Sequence, residues 1–405
     1  MKEILKVALD VGSSRTRLTV AKIGNQDSAF EILGCGVSNA GTLKAGIVTN
    51  IPAITTAIDQ AREVAEQESE FKINSMVLSI GGEHILGVNS DGRTPVRNRR
   101  VSESDISRAM LRARHPARRE ALHTLHVLKQ QFLVDGRPDI VDPRGMVADE
   151  LEARAHIISA RRSLVTNLCQ CVRNAGMEIE GVIYAGLASG YAASSPEERD
   201  LGICTVDLGA GTADIMLWWH NQPVHAASLP VGGEQVSSTL ATSLRVPRQT
   251  AEMLKRSYGA LYSKYYHHTR ISLPSTGHLP DRYIASNDLV EQIAASYQKI
   301  FAGIGKELQR AGLRKMLDGG IVFTGGAAQM PGLAEMAGEF FNCPVRVFIP
   351  PPIPGLDEYL QNDAGMTTTL GLLYMHQYPV EDYLWAREEK DGIIPGIRNF
   401  LKRYL

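Results

Sequence analysis

ILKVALDVGSSRTRLTVAKI, residues 4–23, and ICTVDLGAGTADIMLWW, residues 203–219, are two versions of one pattern. In each, an apolar run ends in an Asp, a turn of small residues follows, and a second apolar-rich run leads away. Strand-forming residues on both sides of a Gly-containing turn predict a β-hairpin. The expected strands are 4–10 and 16–23 around the turn VGSS, and 203–207 and 212–219 around LGAG. Mixed helix and strand follow each hairpin, so the chain reads as two related α/β halves, the second beginning near residue 201.

Outward from the hairpins, helical periodicity appears at 52–67, 163–175, 234–257, 288–311 and 332–341, with short buried strands at 76–80 and 320–324. Residues 84–161 break this rhythm and read as an α+β module inserted in the first half. A helix is expected there over 103–114, with Ser102 as N-cap and Asp105 placed for a capping box. Alternation in LHTLHVL, 122–128, predicts strand. The Pro-, Gly-, Ser- and His-rich stretch 267–287 reads as an exposed loop, and PPPIPG as a rigid turn. The domain plan is therefore 1–83 and 162–200 for the first half, 84–161 for the insert, and 201–380 for the second half with a segment closing the first. A charged linker, 381–392, and a terminal helix, 393–405, complete it.

At 405 residues, with 44% hydrophobic and 21% charged residues, the chain holds two to three globular domains and fits neither disorder nor a fibrous repeat. Forty-three basic against 44 acidic residues leave no global field to draw the protein to nucleic acid or membrane. Five cysteines without a C-x-x-C pair argue against a disulfide framework and a structural zinc site, and fit a reducing compartment. The opening residues lack the apolar stretch of a secretory signal, and no apolar run approaches the ~18 residues that span a bilayer. The expected location is cytoplasmic.

The turns carry the chemistry. Gly12, Ser13 and Ser14, and again Gly209, Ala210, Gly211 and Thr212, let backbone N–H groups and hydroxyls approach phosphate oxygens. Asp10 and Asp207, at the strand ends, are placed to orient the water shell of a Mg²⁺ ion on those phosphates. A third element, GGIVFTGGAAQMPGL, 319–333, has a strand ending in Gly325–Gly326 before a helix, where backbone can lie against a nucleoside. One Asp-Gly turn is common; the three elements together point to a nucleotide.

These three motifs, in this order, resemble the actin-like ATPase superfamily. That likeness implies a two-domain ATPase fold binding ATP with Mg²⁺. It adds Glu252, Lys255 and Arg256 in AEMLKRSYG near ribose and adenine, with Gly233 and Met330 also at the nucleotide. Taken alone, Glu252 and Lys255 are equally an ordinary i,i+3 surface pair. Within the superfamily the chain resembles the FtsA family of bacterial cell-division proteins, through RTPVRNRRVSESDISRAM, LHTLHVLKQQFLVDG and DPRGMVADELEARAHII in the insert, and through YAGLASGYA. Two positions depart from pattern. Ala185 stands where actin has a water-orienting Gln, and alanine can neither orient nor deprotonate water, so slow hydrolysis is expected. Lys129 stands where the family usually has Pro before Gln.

In IIPGIRNFLKRYL, residues Ile397, Phe400, Leu401, Tyr404 and Leu405 form one apolar stripe, with Arg398, Lys402 and Arg403 on or beside the polar face. Eleven helical residues reach only about 17 Å against a hydrocarbon core of about 30 Å, so this helix lies in a membrane interface rather than spanning it. The FtsA resemblance implies such a membrane-targeting helix, self-association into filaments, FtsZ as the tethered filament, and later division proteins docking on the insert. The FtsZ tail is expected within 260–310. Nine arginines between 93 and 119 face only Glu103 and Asp105 in that stretch. They read as a solvated face, a surface for an acidic partner, or a contact for anionic lipid. His123 and His126 fall on opposite faces of a regular strand, and no metal cluster is expected. A pilus or secretion adaptor and a small-molecule kinase share the nucleotide motifs and are the rival functions.

Overall fold

Both hairpins form, and each founds a sheet. Ile4–Val11 pairs antiparallel with Arg15–Ile23, and Ile203–Leu208 with Ala213–Trp219. They close alike: Gly12 N–H donates to Arg15 O at 3.0 Å, and Gly209 N–H to Thr212 O at 2.9 Å. The computed structural model describes residues 4–24, 30–39, 43–114, 121–140, 142–265, 269–273, 282–312 and 314–375. The linker and terminal helix, with Ile397, Arg398, Phe400, Leu401, Lys402, Arg403, Tyr404 and Leu405, lie outside these residues.

The first sheet has five strands in the order Glu178–Tyr184, Ser75–Ile80, Ile4–Val11, Arg15–Ile23, Phe30–Asn39. Helix Ile51–Ser69 supplies the crossover that its parallel pair requires, and starts cleanly because Asn50 accepts a bond from Ala53 N–H and Pro52 sits in its first turn. Leu9, Leu18, Ile54, Ile58 and Leu78 build its core. The last described stretch joins the same core through Ile353, Leu356, Leu360, Leu370 and Leu373. Helix Thr367–Tyr374 lies so close to Ala185–Ala193 that a Cβ on Gly371 would meet Ala188 O at 2.1 Å.

The second sheet has nine strands and crosses two parts of the molecule. Its order is Val345–Val347, Ile321–Thr324, Ile203–Leu208, Ala213–Trp219, Gln222–Leu229, then the insert's Ile85–Pro95, Glu150–Arg161, Leu122–Val134 and Arg137–Ile140. Ile215, Leu240, Ile293, Phe301 and Phe323 form the core of the second half. The insert has a smaller core of Val96, Ile106, Ala109, Phe132 and Leu151.

Within the insert, helix Glu103–Arg114 occupies the expected residues. Half of the capping box forms: Ser102 N–H donates to Asp105 Oδ2 at 2.9 Å, but the Ser102 hydroxyl donates to the same carboxylate instead of accepting from the helix. Strand Leu122–Val134 passes through Lys129 and bulges twice. The bulge at Leu125 sets His123 opposite Ala160 and His126 opposite Ile158, so the two histidines share a face rather than dividing between two.

Two further expectations are corrected. The helix expected over 234–257 is two, Gly233–Leu244 and Arg248–Tyr258. Arg245 adopts φ 52° at the first C-cap, and Pro247, which has no N–H to donate, caps the second. The loop expected over 267–287 contains a paired hairpin, Arg270–Leu273 with Arg282–Ala285.

Candidate functional site

The two hairpin turns meet. A Cβ on Gly211 would come within 2.5 Å of Ser13 Oγ and 3.3 Å of Ala45 N, so a larger residue there would crowd Ser13 and the first turn. Asp10 and Asp207 stand at the matching strand ends, each half-buried with some surface still open. Ser79 donates to Asp10 at 2.6 Å, and Thr368, from the closing helix, donates to Asp207. Burial raises the Asp10 carboxyl above the usual range, against the hydrogen bond from Ser79 and the charge of Arg17. Asp207 is pushed up to about 7, by burial first and also by the charges of Asp214 and Asp10.

Asp214, directly across the hairpin from Asp207, escaped the sequence reading. It is 5% exposed, and its Oδ2 accepts from Thr212 at 3.0 Å. Burial pushes its carboxyl up to about 6 despite hydrogen bonds from Ser228 and Thr212. The signal was available: a second acid, Asp214, at the position the hairpin register pairs with the first.

The Gly-Gly element lies against this centre. Gly325 has φ 89°, and a Cβ there would sit 2.3 Å from Asp207 Oδ1. Gly326 faces open space, so a side chain at 326 would project into it. A 3₁₀ turn, Gly326–Gln329, comes next, and the expected helix starts only at Leu333. Tyr297 braces the turn by donating to Ala327 O at 2.7 Å. Met330 packs near Gly259, 3.1 Å from where a Cβ would stand.

On the adjoining flank, Gly233 N–H donates to Gly209 O at 3.1 Å, tying helix Gly233–Leu244 to the second turn. Lys255 is not a surface residue: it is 9% exposed and donates to Gly233 O at 2.9 Å, Ser237 Oγ at 2.9 Å and Glu252 Oε2 at 2.7 Å. Burial alone would raise the Glu252 carboxyl, but hydrogen bonds from Lys255 and Ser237 prevail and hold it at about 2. Arg256 donates to Glu252 at 2.8 Å. A Cβ on Gly233 would stand 3.3 Å from Ala327 Cβ, so the Glu252 network, the second turn and the Gly-Gly element line one cleft.

A cation missed from sequence is Arg17, opposite Asp10 in the first hairpin and 9% exposed. It pairs with Asp363 at 3.2 Å, which in turn accepts from Gln329 at 2.9 Å. Ala185 begins its helix at the end of strand Glu178–Tyr184, 7% exposed. The arginine run is not one free cationic surface: Arg93 pairs with Glu152 at 2.9 Å, Arg108 with Asp105, and Arg100 donates to Gly145 O. Arg97 and Arg99 remain exposed, beside Met146 and Val147, which are 37% and 65% exposed. A hollow of about 830 Å³ lies away from the cleft, lined among others by Lys306, Lys315, Phe340 and Phe341. Among the described residues, no cluster of three or more His, Cys, Asp or Glu could hold a metal, and no helix is long and apolar enough to cross a membrane.

A family profile described as "Cell division protein FtsA" matches residues 204–371, and one described as "SHS2 domain inserted in FTSA" matches residues 82–159. The chain is 34% identical over 368 residues to cell division protein FtsA of Pseudomonas aeruginosa, covering 91% of this chain and 88% of that one. It is 34% identical over 385 residues to the protein of that name from Borreliella burgdorferi, covering 93% and 92%. The fold is similar to the PilM–PilN type IV pilus biogenesis complex, with TM-score 0.65, 15% identity and coverage of 92% and 99%. It is also similar to MreB5 of Spiroplasma citri bound to AMPPNP, with TM-score 0.53, 12% identity and coverage of 99% and 99%. The fold is therefore that of the actin-like ATPases.

Proposed function

Because the chain belongs to the FtsA family of cell-division proteins, we propose that it binds ATP with Mg²⁺, polymerises through its actin-like body, and tethers FtsZ filaments to the cytoplasmic membrane. The observation that carries the nucleotide part is the meeting of the two turns at Gly211 and Ser13, with Asp10 and Asp207 on either side. Two half-buried carboxylates with raised pKa gain from a nearby cation, and a Mg²⁺ ion that keeps its waters suits a pair too sparse to chelate it. Bound there, the ion would neutralise phosphate charge between the turns. The N–H groups of Gly12 and Gly209 already close their hairpins and the Thr212 hydroxyl donates to Asp214, so Ser13, Ser14, Gly211 and the Thr212 backbone are left to meet phosphate. Glu252, Lys255, Arg256, Gly233 and Met330 would flank the nucleoside, with Gly325 and Gly326 beneath it.

Attachment rests on the terminal sequence. A short amphipathic helix binds a bilayer reversibly, and a polymer presenting many copies binds firmly through avidity. The insert would recruit later division proteins. The test is sedimentation with anionic liposomes, with and without ATP and FtsZ. Replacing Phe400 and Leu401 with Glu removes apolar burial of about 1.5–3 kcal/mol each and adds repulsion from lipid. Liposome binding should collapse while ATP and FtsZ binding persist. A variant that sediments with liposomes as well as the parent, or one that unfolds, would defeat the tether.

A further inference from the structure

The hollow of about 830 Å³ on the second half has no part in the nucleotide reading. Helix Ser286–Arg310 forms one wall and carries Gly305 there, although helix interiors disfavour glycine. A Cβ on Gly305 would stand 3.7 Å from the rings of Phe340 and Phe341, so its absence leaves room in front of them. Phe340 joins an aromatic cluster with Phe301 at 5.8 Å and Phe341 at 5.1 Å, yet it is 42% exposed. Lys306 and Lys315 line the same hollow, both exposed and in no ion pair among the described residues, against the single acid Asp318. A segment that suits this lining carries acids beside large apolar side chains.

The chain itself contains such a segment. EDYLW, residues 381–385, sets Glu381 and Asp382 directly before Tyr383, Leu384 and Trp385, and it follows closely on Met375, the last described residue. Helix Thr367–Tyr374 starts at the cleft, where Thr368 donates to Asp207, and leads away past Ala188. Helix Ala185–Ala193 descends beside it, with Gly190 against Thr205, which precedes Asp207 in its strand. Its last residue, Ala193, accepts from Arg346 Nη2 at 2.8 Å, and Arg346 follows closely on Pro344 in the hollow's lining. The extended chain from Met375 to Tyr383 spans up to about 26 Å at ~3.3 Å per residue, and the way past Ala193 and Arg346 is that of a few side chains.

We propose that this hollow is the seat of the chain's own linker segment, residues 381–385. Leu384 and Trp385 pack against Phe340 over Gly305, and Glu381 and Asp382 meet Lys306 and Lys315. Large aromatic side chains are effective anchors in a pocket of this kind, since each removes much apolar surface from water. Tethering raises the effective concentration of the segment, so a contact too weak to hold a free peptide is occupied within one chain. Seated, the linker leaves only residues 386–392 free before the terminal helix, which is thereby kept beside the hollow's face of the second half. The seat depends on neither the nucleotide reading nor the membrane reading.

Trp385 reports on the seat in the full chain, its fluorescence taken as the difference from a Trp385→Phe variant that keeps Trp218 and Trp219. Its emission should be blue-shifted, and acrylamide should quench it at least threefold less than in a free peptide of residues 379–388. Gly305→Leu, which fills the hollow, and Lys306→Glu/Lys315→Glu should each bring quenching to the level of the free peptide. Glu381→Lys/Asp382→Lys alters no described residue, so it tests the seat even if those variants fail to fold; it should release Trp385 as well. Joining the two charge reversals in one chain should restore protection, which a purely structural role of the lysines would not do. Protection should be independent of protein concentration. A parent whose Trp385 is quenched like the free peptide, charge reversals without mutual rescue, or protection found only at high concentration, which would report a second copy, would each overturn the seat.

Discussion

The two hairpins share a backbone and differ in charge. Each is closed by the same Gly-to-carbonyl bond, and each carries an Asp at the same place. In the first, the residue opposite Asp10 is Arg17; in the second, the residue opposite Asp207 is Asp214. The first hairpin holds its own counter-charge, while the second sets two acids side by side in a buried setting. Burial is the first cause of their raised values, about 7 and about 6, and neighbouring carboxylates add to it, Asp214 and Asp10 for Asp207 and Asp10 for Asp214. Repetition of a fold motif therefore does not repeat its electrostatics. The second hairpin is the half with the larger need for a cation, while in the first the charge of Arg17, which pairs with Asp363, offsets part of the burial that raises Asp10.

The largest effect should come from removing the hungrier acid. Asp207→Ala should weaken Mg-ATP binding at least tenfold, about 1.4 kcal/mol, and more than Asp10→Ala does. Gly326→Asp should do the same by filling the open space over the Gly-Gly turn. Calorimetry that ranks Asp10 first, or leaves both glycine and acid variants unchanged, breaks the comparison.

A second effect is pH-dependent. An acid whose folded pKa lies above its ordinary value favours the folded state while protonated. The stability contributed by Asp207 and Asp214 is thus present near pH 4 and lost as pH rises to about 7 in metal-free protein. Asp214→Asn should flatten that slope in thermal melts and bring the Asp207 pKa down from about 7, as followed by carboxyl NMR. An unmoved Asp207 would show the pair to be uncoupled.

Smaller again is the effect at Ala185. ATP turnover should be slow in the parent, and Ala185→Gln or Ala185→Glu should raise it a few-fold by supplying a polar group to water. Turnover of several per second in the parent would mean that another residue orients water. The smallest change is expected from reversing Arg97, Arg99 and Arg100. ATP affinity should stay within twofold, while association with an acidic partner or anionic lipid weakens in a salt-dependent way. Recruitment that is normal at every ionic strength would leave only a solvated face.

Sequence pattern carried the hairpins, the inserted helix and the Gly-Gly turn, because each depends on local spacing. It failed where the deciding partner is distant. Arg17 finds its acid at Asp363, and Arg93 finds Glu152, neither visible as a neighbour in the chain. The bulge at Leu125 shifted strand parity and brought His123 and His126 to one face. Pro247 was a local signal overridden by a long apolar period, and Pro and Gly between residues 267 and 287 concealed the short strands RISL and RYIA. Asp214 was readable only through the register of the hairpin it closes.

The order in which the chain leaves the ribosome meets one feature of the fold with particular consequence. The second half is continuous in sequence from Ile203 to Val347, but the first half needs Ile353, Leu360, Leu370 and Leu373, the last apolar pieces among the described residues. Domains fold as units during synthesis. The part made first must therefore wait, with Leu9, Leu18 and Leu78 awaiting their lid, until the part made later has closed. A chain arrested before residue 353 should yield a folded, protease-resistant second half and an exposed first half that calls for a chaperone.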